Sequence, residues 1–128
     1  MFNAIESNFT KACLGVFLLA GVIYSFKLSL DPAGFVAESG MHEATTNLIR
    51  NLGFVYLSFT IGTLLLMLKG FKGQLPLIVM MVVFFGLDVA HGWINLLDYP
   101  EIDRTGRMVE TVAVACLYLG LFNSRHEI

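Results

Sequence analysis

Four long apolar stretches follow one another along the chain, separated by short polar segments. The third stretch, residues 76–98, begins with a run of apolar residues and then carries four polar side chains: Asp88, His91, Asn95 and Asp98. Their spacing of three, four and three residues places them on one stripe of an α-helix. Ionisable groups inside a membrane-length helix usually face protein or trapped water, so this stripe predicts a polar site between helices.

The same pattern predicts four membrane-spanning helices. They cover roughly residues 12–30, 46–68, 76–97 and 105–122, each close to the length of about 20 residues that crosses a bilayer. Asp31-Pro32 ends the first helix, Thr45 or Thr46 caps the second, and Pro76 suits the first turn of the third. We therefore expect an all-α fold, an integral membrane four-helix bundle of two antiparallel helical hairpins, in a single domain over residues 1–128.

The polar segments suggest an orientation for this bundle. DPAGFVAESGMHEATTN, between the first two spans, is predicted to be a polar loop whose Phe35 and Val36 dip toward the membrane. The N-terminus lacks the basic region of a cleaved signal, so the first apolar run is expected to be a permanent span. Basic residues are balanced between the two sides, and the Lys69–Lys72 turn is the clearest basic loop. By the positive-inside rule, we expect a bacterial inner-membrane protein with cytoplasmic N and C termini.

Composition supports the membrane class and excludes others. The chain is 56% hydrophobic and 14% charged, with a mean hydropathy of +0.73, whereas soluble domains carry about 25% charged residues. A net charge of −2 and the absence of a basic patch argue against nucleic acid as a partner. Cys13 and Cys116 each lie in an apolar stretch and are expected to act as small buried hydrophobes.

Ionisable residues from three predicted helices fall at similar depth in one leaflet. At about 1.5 Å per residue, Asp88, Glu110 and Arg50 lie roughly 13, 9 and 7 Å below the ends of their helices. A buried charge requires a partner, and the planar guanidinium of Arg50 suits a carboxylate, so we expect it to pair with Glu110, or failing that with Asp88. Asn51 and Tyr24 complete this predicted polar layer, together with Asn95 and Asp98. Such a pair can also serve only to fix helix packing.

Asp88 and His91, three residues apart, have the chemistry of an acid–base pair or a proton relay. Glu110 would be the third group of such a catalytic set. His91 can equally be a hydrogen-bonded core histidine. A metal site is not expected, because His42 and His126 fall in a loop and in the tail and the chain has no paired-histidine motif. No cofactor is predicted.

The motifs resemble a known family. A proline-containing loop leads into NLIRNLG, residues 47–53, and helix 2 is rich in Gly and Thr, while helix 3 ends in polar residues and helix 4 opens with Glu110. This resembles a family of small bacterial four-helix membrane proteins of unknown function related to the DoxX-like group. The resemblance implies that Arg50 and Glu110 are the recurring residues. The chain departs from the family at Asn51-Leu52, where a second glycine usually follows the arginine, and at Asp88 or His91, where an arginine is often found.

These features leave three functions open. The first is a module that binds membrane lipid or a small apolar ligand, or an accessory subunit of a membrane complex. The second is a small intramembrane isomerase or hydrolase of an apolar substrate, with Asp88, His91 and Glu110 as acid–base groups and Arg50 orienting or stabilising charge. The third is a proton-coupled transporter working as a dimer. Other membrane subunits or a second copy of the chain are therefore candidate partners, and whether the protein is an enzyme stays open.

Overall fold

The computed structural model describes residues 3–38, 40, 42–98 and 105–128, with the side chains of Leu96 and Asp98 excepted. Five α-helices and two short 3-10 helices follow in the order α1 Asn8–Leu30, α2 Pro32–Glu38, 3-10 helix Glu43–Thr45, α3 Thr46–Lys69, α4 Leu75–Asp98, α5 Thr105–Asn123 and 3-10 helix Arg125–Glu127. The predicted all-α four-helix bundle is confirmed. Helix α1 begins at Asn8 rather than at residue 12, because Ser7 caps it by accepting a hydrogen bond from the backbone N–H of Thr10.

Four helices in the described part of the chain are long and apolar enough to cross a membrane: Asn8–Leu30, Glu43–Lys69, Leu75–Asn95 and Thr105–Asn123. Their outward faces carry large apolar side chains, among them Leu19, Met80 and Leu119, each more than half exposed. A soluble protein rarely exposes apolar patches of this extent. The chain is therefore a multi-pass membrane protein whose apolar outer surface suits contact with lipid.

Helix α1 is the central element of the bundle and packs closely against both α3 and α5. Small residues permit these approaches. A methyl group at Gly53 of α3 would stand 2.8 Å from the backbone nitrogen of Ser29 on α1, and one at Gly120 of α5 would stand 3.0 Å from Cβ of Cys13. Van der Waals packing between helices is a main source of stability in lipid, and glycine at these positions allows it.

The half of the bundle that contains the chain termini is filled, and we call it the packed half. Leu14, Leu66, Met81 and Leu117 come from the four spans and are at most 1% exposed. Beyond them, hydrogen bonds join the two ends of the chain: Oγ1 of Thr10 lies 2.6 Å from Oγ of Ser124, and Asn123 donates to Ser7. Both termini therefore lie at one end of the bundle, as two hairpins require.

The opposite end carries the short helix α2, where the sequence pattern predicted a loop. Asp31 accepts a hydrogen bond from the backbone N–H of Gly34, and Pro32 occupies the first helical position, where a missing N–H costs nothing. Val36 is buried against α1 and α3, and the neighbouring Phe35 packs beside it. The segment predicted to be a loop is thus a short helix that packs on the bundle through Val36.

Hydroxyl side chains inside the spans bond mostly to their own helix. Five of the described hydroxyl groups donate to the backbone carbonyl oxygen four residues earlier: those of Ser25, Ser58, Thr60, Thr63 and Thr111. This pattern is the usual way for Ser and Thr to satisfy their hydrogen bonds within a helix.

Candidate functional site

A cavity of about 810 Å³ occupies the half of the bundle next to α2, which we call the cavity half. All four spans and α2 contribute to its wall, which is mainly apolar. Phe17 and Phe85 form part of its floor, with ring centres 4.8 Å apart in an edge-to-face arrangement. The volume is typical of sites that enclose a small organic molecule.

The cavity exists because α3 and α4 remain apart. These helices are consecutive in sequence, yet their backbones approach each other least among the neighbouring spans of the described chain. Aromatic side chains fill the space between them at mid-height: the rings of Phe59 and Phe84 are 5.0 Å apart, and those of Tyr56 and Phe85 are 6.0 Å apart. Toward α2 from these rings, the space between the helices opens into the cavity.

A chain of polar side chains crosses one wall of the cavity and joins three spans. The hydroxyl of Tyr56 on α3 donates to Oδ2 of Asp88 on α4, with 2.5 Å between the oxygens. The carboxyl group of Asp88 lines the same cavity as that of Glu110 on α5, and the two are close enough to interact. Glu110 in turn forms an ion pair with Arg107, with 2.9 Å between Oε2 and Nη1. The order Tyr56–Asp88–Glu110–Arg107 defines what we call the polar chain.

One carboxylate oxygen in the polar chain lacks a donor. Oε1 of Glu110 is buried, and no donor among the described residues bonds to it. Two carboxyl groups can be joined by a hydrogen bond only if a proton lies between them, so the contact of Glu110 with Asp88 requires either that proton or another donor. The cavity wall therefore contains a polar centre whose hydrogen bonding is incomplete without an added proton or donor.

Helix α4 is shaped to accept the side chain of Arg107. Gly92 is buried beneath it, and a methyl group there would stand 2.7 Å from Nη1 and 2.8 Å from Cδ. The backbone carbonyl of Arg107 accepts a hydrogen bond from Thr111, whose hydroxyl oxygen also accepts one from the indole N–H of Trp93 at 2.8 Å. These contacts hold α4 and α5 together beside the polar chain.

Most of the predicted site residues meet at this cavity. The lining residues include Tyr24, Asn51, Asp88, His91, Asn95 and Glu110, which come from α1, α3, α4 and α5. The helical stripe on α4 therefore does face the interior, although His91 remains exposed. The side chain of Asp98 lies outside the described part of the structure.

The expected pairing of Arg50 with Glu110 is wrong. Arg50 is exposed and does not line the cavity, whereas Glu110 pairs with Arg107 three residues earlier on its own helix. The pairing was predicted from depth along the helix axis alone. Depth does not give the direction of a side chain, because an α-helix turns by about 100° per residue. Asn51 consequently faces the cavity while its neighbour Arg50 faces outward. Arg107 forms the ion pair with Glu110 that was expected of Arg50.

Sequence reasoning missed two members of the polar chain, Tyr56 and Arg107. A signal existed for Arg107, because oppositely charged residues three apart on a helix share a face. Tyr56 offered no comparable signal, since a tyrosine in an apolar span is most often a packing residue. Its partner, Asp88, belongs to a helix whose rotation relative to α3 cannot be read from either sequence.

The mouth of the cavity is bordered by α1 and α2. Lys27 and Glu38, which both line the cavity, form an ion pair there with 2.8 Å between Nζ and Oε2. The Lys27 ammonium also lies 6.0 Å from the ring centre of Phe35. Both partners of the pair are well exposed, so the pair contributes at most about 1 kcal/mol to holding α2 in place.

Comparisons with models of protein families, with curated proteins and with solved structures find no match to this chain. The resemblance to the DoxX-like group therefore stays a prediction. What the site does must be argued from its own geometry and chemistry.

Proposed function

We propose that the protein binds an apolar or amphiphilic small molecule, such as a membrane lipid, within its bundle. The observation that carries this proposal is the cavity of about 810 Å³, with mainly apolar walls and the polar chain on one side. Small-molecule sites combine an apolar enclosure with a few convergent polar groups in this way. The apolar wall would hold the body of the ligand, and the polar chain would orient its head.

The location of the cavity between spans favours a ligand drawn from the bilayer. Val55 of α3 and Val109 of α5 line the cavity yet are about two-fifths exposed to the surroundings. An apolar molecule dissolved in lipid would therefore meet apolar side chains on its way in. A binding module of this kind could act alone or as an accessory subunit that presents its ligand to a membrane complex.

The test is native mass spectrometry of the protein extracted gently with its lipids. We expect the wild-type protein to retain a small apolar molecule, and the double variant Val55→Trp/Val109→Trp to lose it because the two indoles project into the cavity. The matched control is Val79→Trp/Val83→Trp, whose valines are exposed on α4 and do not line the cavity. This control should retain the molecule. Bare wild-type protein, or equal retention in both double variants, would contradict the proposal.

A second candidate function is acid–base catalysis on an apolar substrate. The observation that favours it is that Asp88, His91 and Glu110 line one cavity, with the two carboxyl groups in contact. In an isomerase, one group would remove a proton from a carbon atom of the substrate and another would return a proton elsewhere. The apolar walls would exclude water from the reacting atoms.

Isotope exchange tests this second candidate. The protein is placed in vesicles of lipid extracted from its own membrane and incubated in deuterated water. Catalysis by proton transfer predicts that carbon-bound deuterium, or a hydrolysis product, appears in the lipid extract by mass spectrometry. Asp88→Asn should abolish this signal, while Glu43→Gln, which lies outside the cavity, should leave it unchanged. An extract identical to that of empty vesicles would rule out catalysis on those lipids.

A further inference from the structure

With all its carboxyl groups ionised, the cavity wall would carry more negative than positive charge. Its described lining residues include three carboxyl groups, Glu38, Asp88 and Glu110, and two permanently charged cations, Lys27 and Arg107. Each cation is engaged: Lys27 pairs with Glu38 at 2.8 Å, and Arg107 pairs with Glu110 at 2.9 Å. Asp88 accepts a hydrogen bond from the hydroxyl of Tyr56, which carries no positive charge. An uncompensated carboxylate in an apolar cavity is costly, so this wall favours an added positive charge or proton.

The hydrogen-bonding groups of the cavity wall also favour a ligand that donates hydrogen bonds. Oε1 of Glu110 is buried and has no described donor, and Asp88 lies beside it. A ligand that donates hydrogen bonds at this point would satisfy both carboxyl groups. A ligand that only accepts would leave Glu110 Oε1 unsatisfied, and a buried acceptor without a donor is destabilising.

The aromatic residues beside the carboxyl groups also suit a cation. Tyr56, whose hydroxyl bonds to Asp88, and Phe85 both line the cavity, and their rings lie nearly parallel with centres 6.0 Å apart. Aromatic faces attract ammonium groups, and the attraction increases where water is excluded.

We propose that the ligand is an apolar molecule with a protonated amine head, which sits between Asp88 and Glu110 while its hydrocarbon body contacts the apolar walls. The proposal rests on the proposed binding function and names the chemical class of its ligand. An anionic head such as a carboxylate or phosphate is disfavoured, because it would approach two carboxyl groups while Lys27 and Arg107 are already paired. His91 also lines the cavity.

The test compares three probes that share one hydrocarbon chain and differ only in the head: dodecylamine, dodecanol and dodecanoate. Each is added to the full-length protein in a neutral detergent, and the bound fraction is measured by native mass spectrometry across a concentration series. We expect dodecylamine to bind about tenfold or more tightly than dodecanol, which is the scale of one additional charge-assisted hydrogen bond. Dodecanoate should bind more weakly than dodecanol.

Variants locate the head group. Asp88→Asn keeps the shape of the side chain and removes its charge, and it should weaken dodecylamine binding about tenfold while changing dodecanol binding little. Glu110→Gln is a second variant with the same expected direction, so that the test survives if one substitution perturbs folding, which far-UV circular dichroism would reveal. Glu43→Gln removes an exposed carboxylate outside the cavity and should leave all three probes unaffected.

The outcomes separate this inference from the proposed function. If dodecanoate or dodecanol binds as tightly as dodecylamine, or if Asp88→Asn and Glu110→Gln both bind the amine as the wild type does, the amine assignment is wrong while the binding function stands. If none of the probes binds the wild-type protein more tightly than it binds Val55→Trp/Val109→Trp, the binding function itself fails.

Discussion

The packed half and the cavity half are built from the same four helices, yet only one of them is filled. In the packed half, Leu14, Leu66, Met81 and Leu117 come from all four spans and belong to one buried apolar cluster. In the cavity half, α3 and α4 stand apart, and a space of about 810 Å³ remains between the inward-facing side chains. The comparison teaches that one bundle can combine a packed core with a binding site when the separation of two of its helices leaves part of the interior unfilled.

Deleting the same number of atoms from each half should have very different effects. Leu117→Ala removes a fully buried side chain from the packed half and should lower the free energy of unfolding by about 2–5 kcal/mol, because a cavity is created in a close-packed region. Leu52→Ala removes a side chain that already borders the cavity, so it enlarges an existing space and should cost clearly less. Unfolding in mixed detergent micelles, followed by circular dichroism, measures both. Equal losses would show that the halves are packed alike.

The polar chain is a place in the cavity half where a single substitution should be costly. Arg107→Gln removes the cation paired with Glu110 and should lower stability by about 1–3 kcal/mol, the cost of leaving a buried polar group without its partner. Arg50→Gln changes an exposed side chain and should stay within about 0.5 kcal/mol of the wild type. The same unfolding assay compares the two. A larger loss for Arg50→Gln would restore the pairing that the sequence first indicated.

Close packing of α1 against α3 continues into the cavity half, and a small substitution should detect it. Gly53→Ala places a methyl group 2.8 Å from the backbone of Ser29, so the helices must separate, at a cost of about 1–3 kcal/mol. Gly15→Ala is the matched control, because a methyl group there meets nothing within 4 Å and alanine favours the helix by up to about 1 kcal/mol. Should both variants prove equally stable, the cavity half would be looser on this side than its geometry indicates.

Hydrophobic periodicity predicted the fold well because the bilayer imposes the same length on every span. Span limits such as Thr46–Lys69 follow mainly from apolar length, which is a local property; the predicted cap Thr45 makes no side-chain capping hydrogen bond. The polar stripe of Asp88, His91 and Asn95 also follows from one helix alone, and the structure turns these three residues toward the cavity.

Features that depend on the relative placement of two helices could not be predicted from the sequence. Pairing Arg50 with Glu110 required the rotation of α3 about its axis, which no residue in either helix specifies by itself. The partnership of Tyr56 with Asp88 depends on how far apart α3 and α4 stand, and that distance is set by rings elsewhere along the pair. The cavity is likewise a property of all four spans together, since its volume is what their side chains leave unfilled.

The hydroxyl groups that bond within their own helices affect how the chain enters the membrane. Ser25, Ser58 and Thr63 each count as polar when residues are read one by one, yet each hydroxyl proton is already bound to a carbonyl oxygen of the same helix. In a bilayer, groups satisfied within one helix require no partner from another. The insertion machinery would therefore meet spans more lipid-soluble than their residue composition suggests, and each could partition into the bilayer before its neighbours arrive.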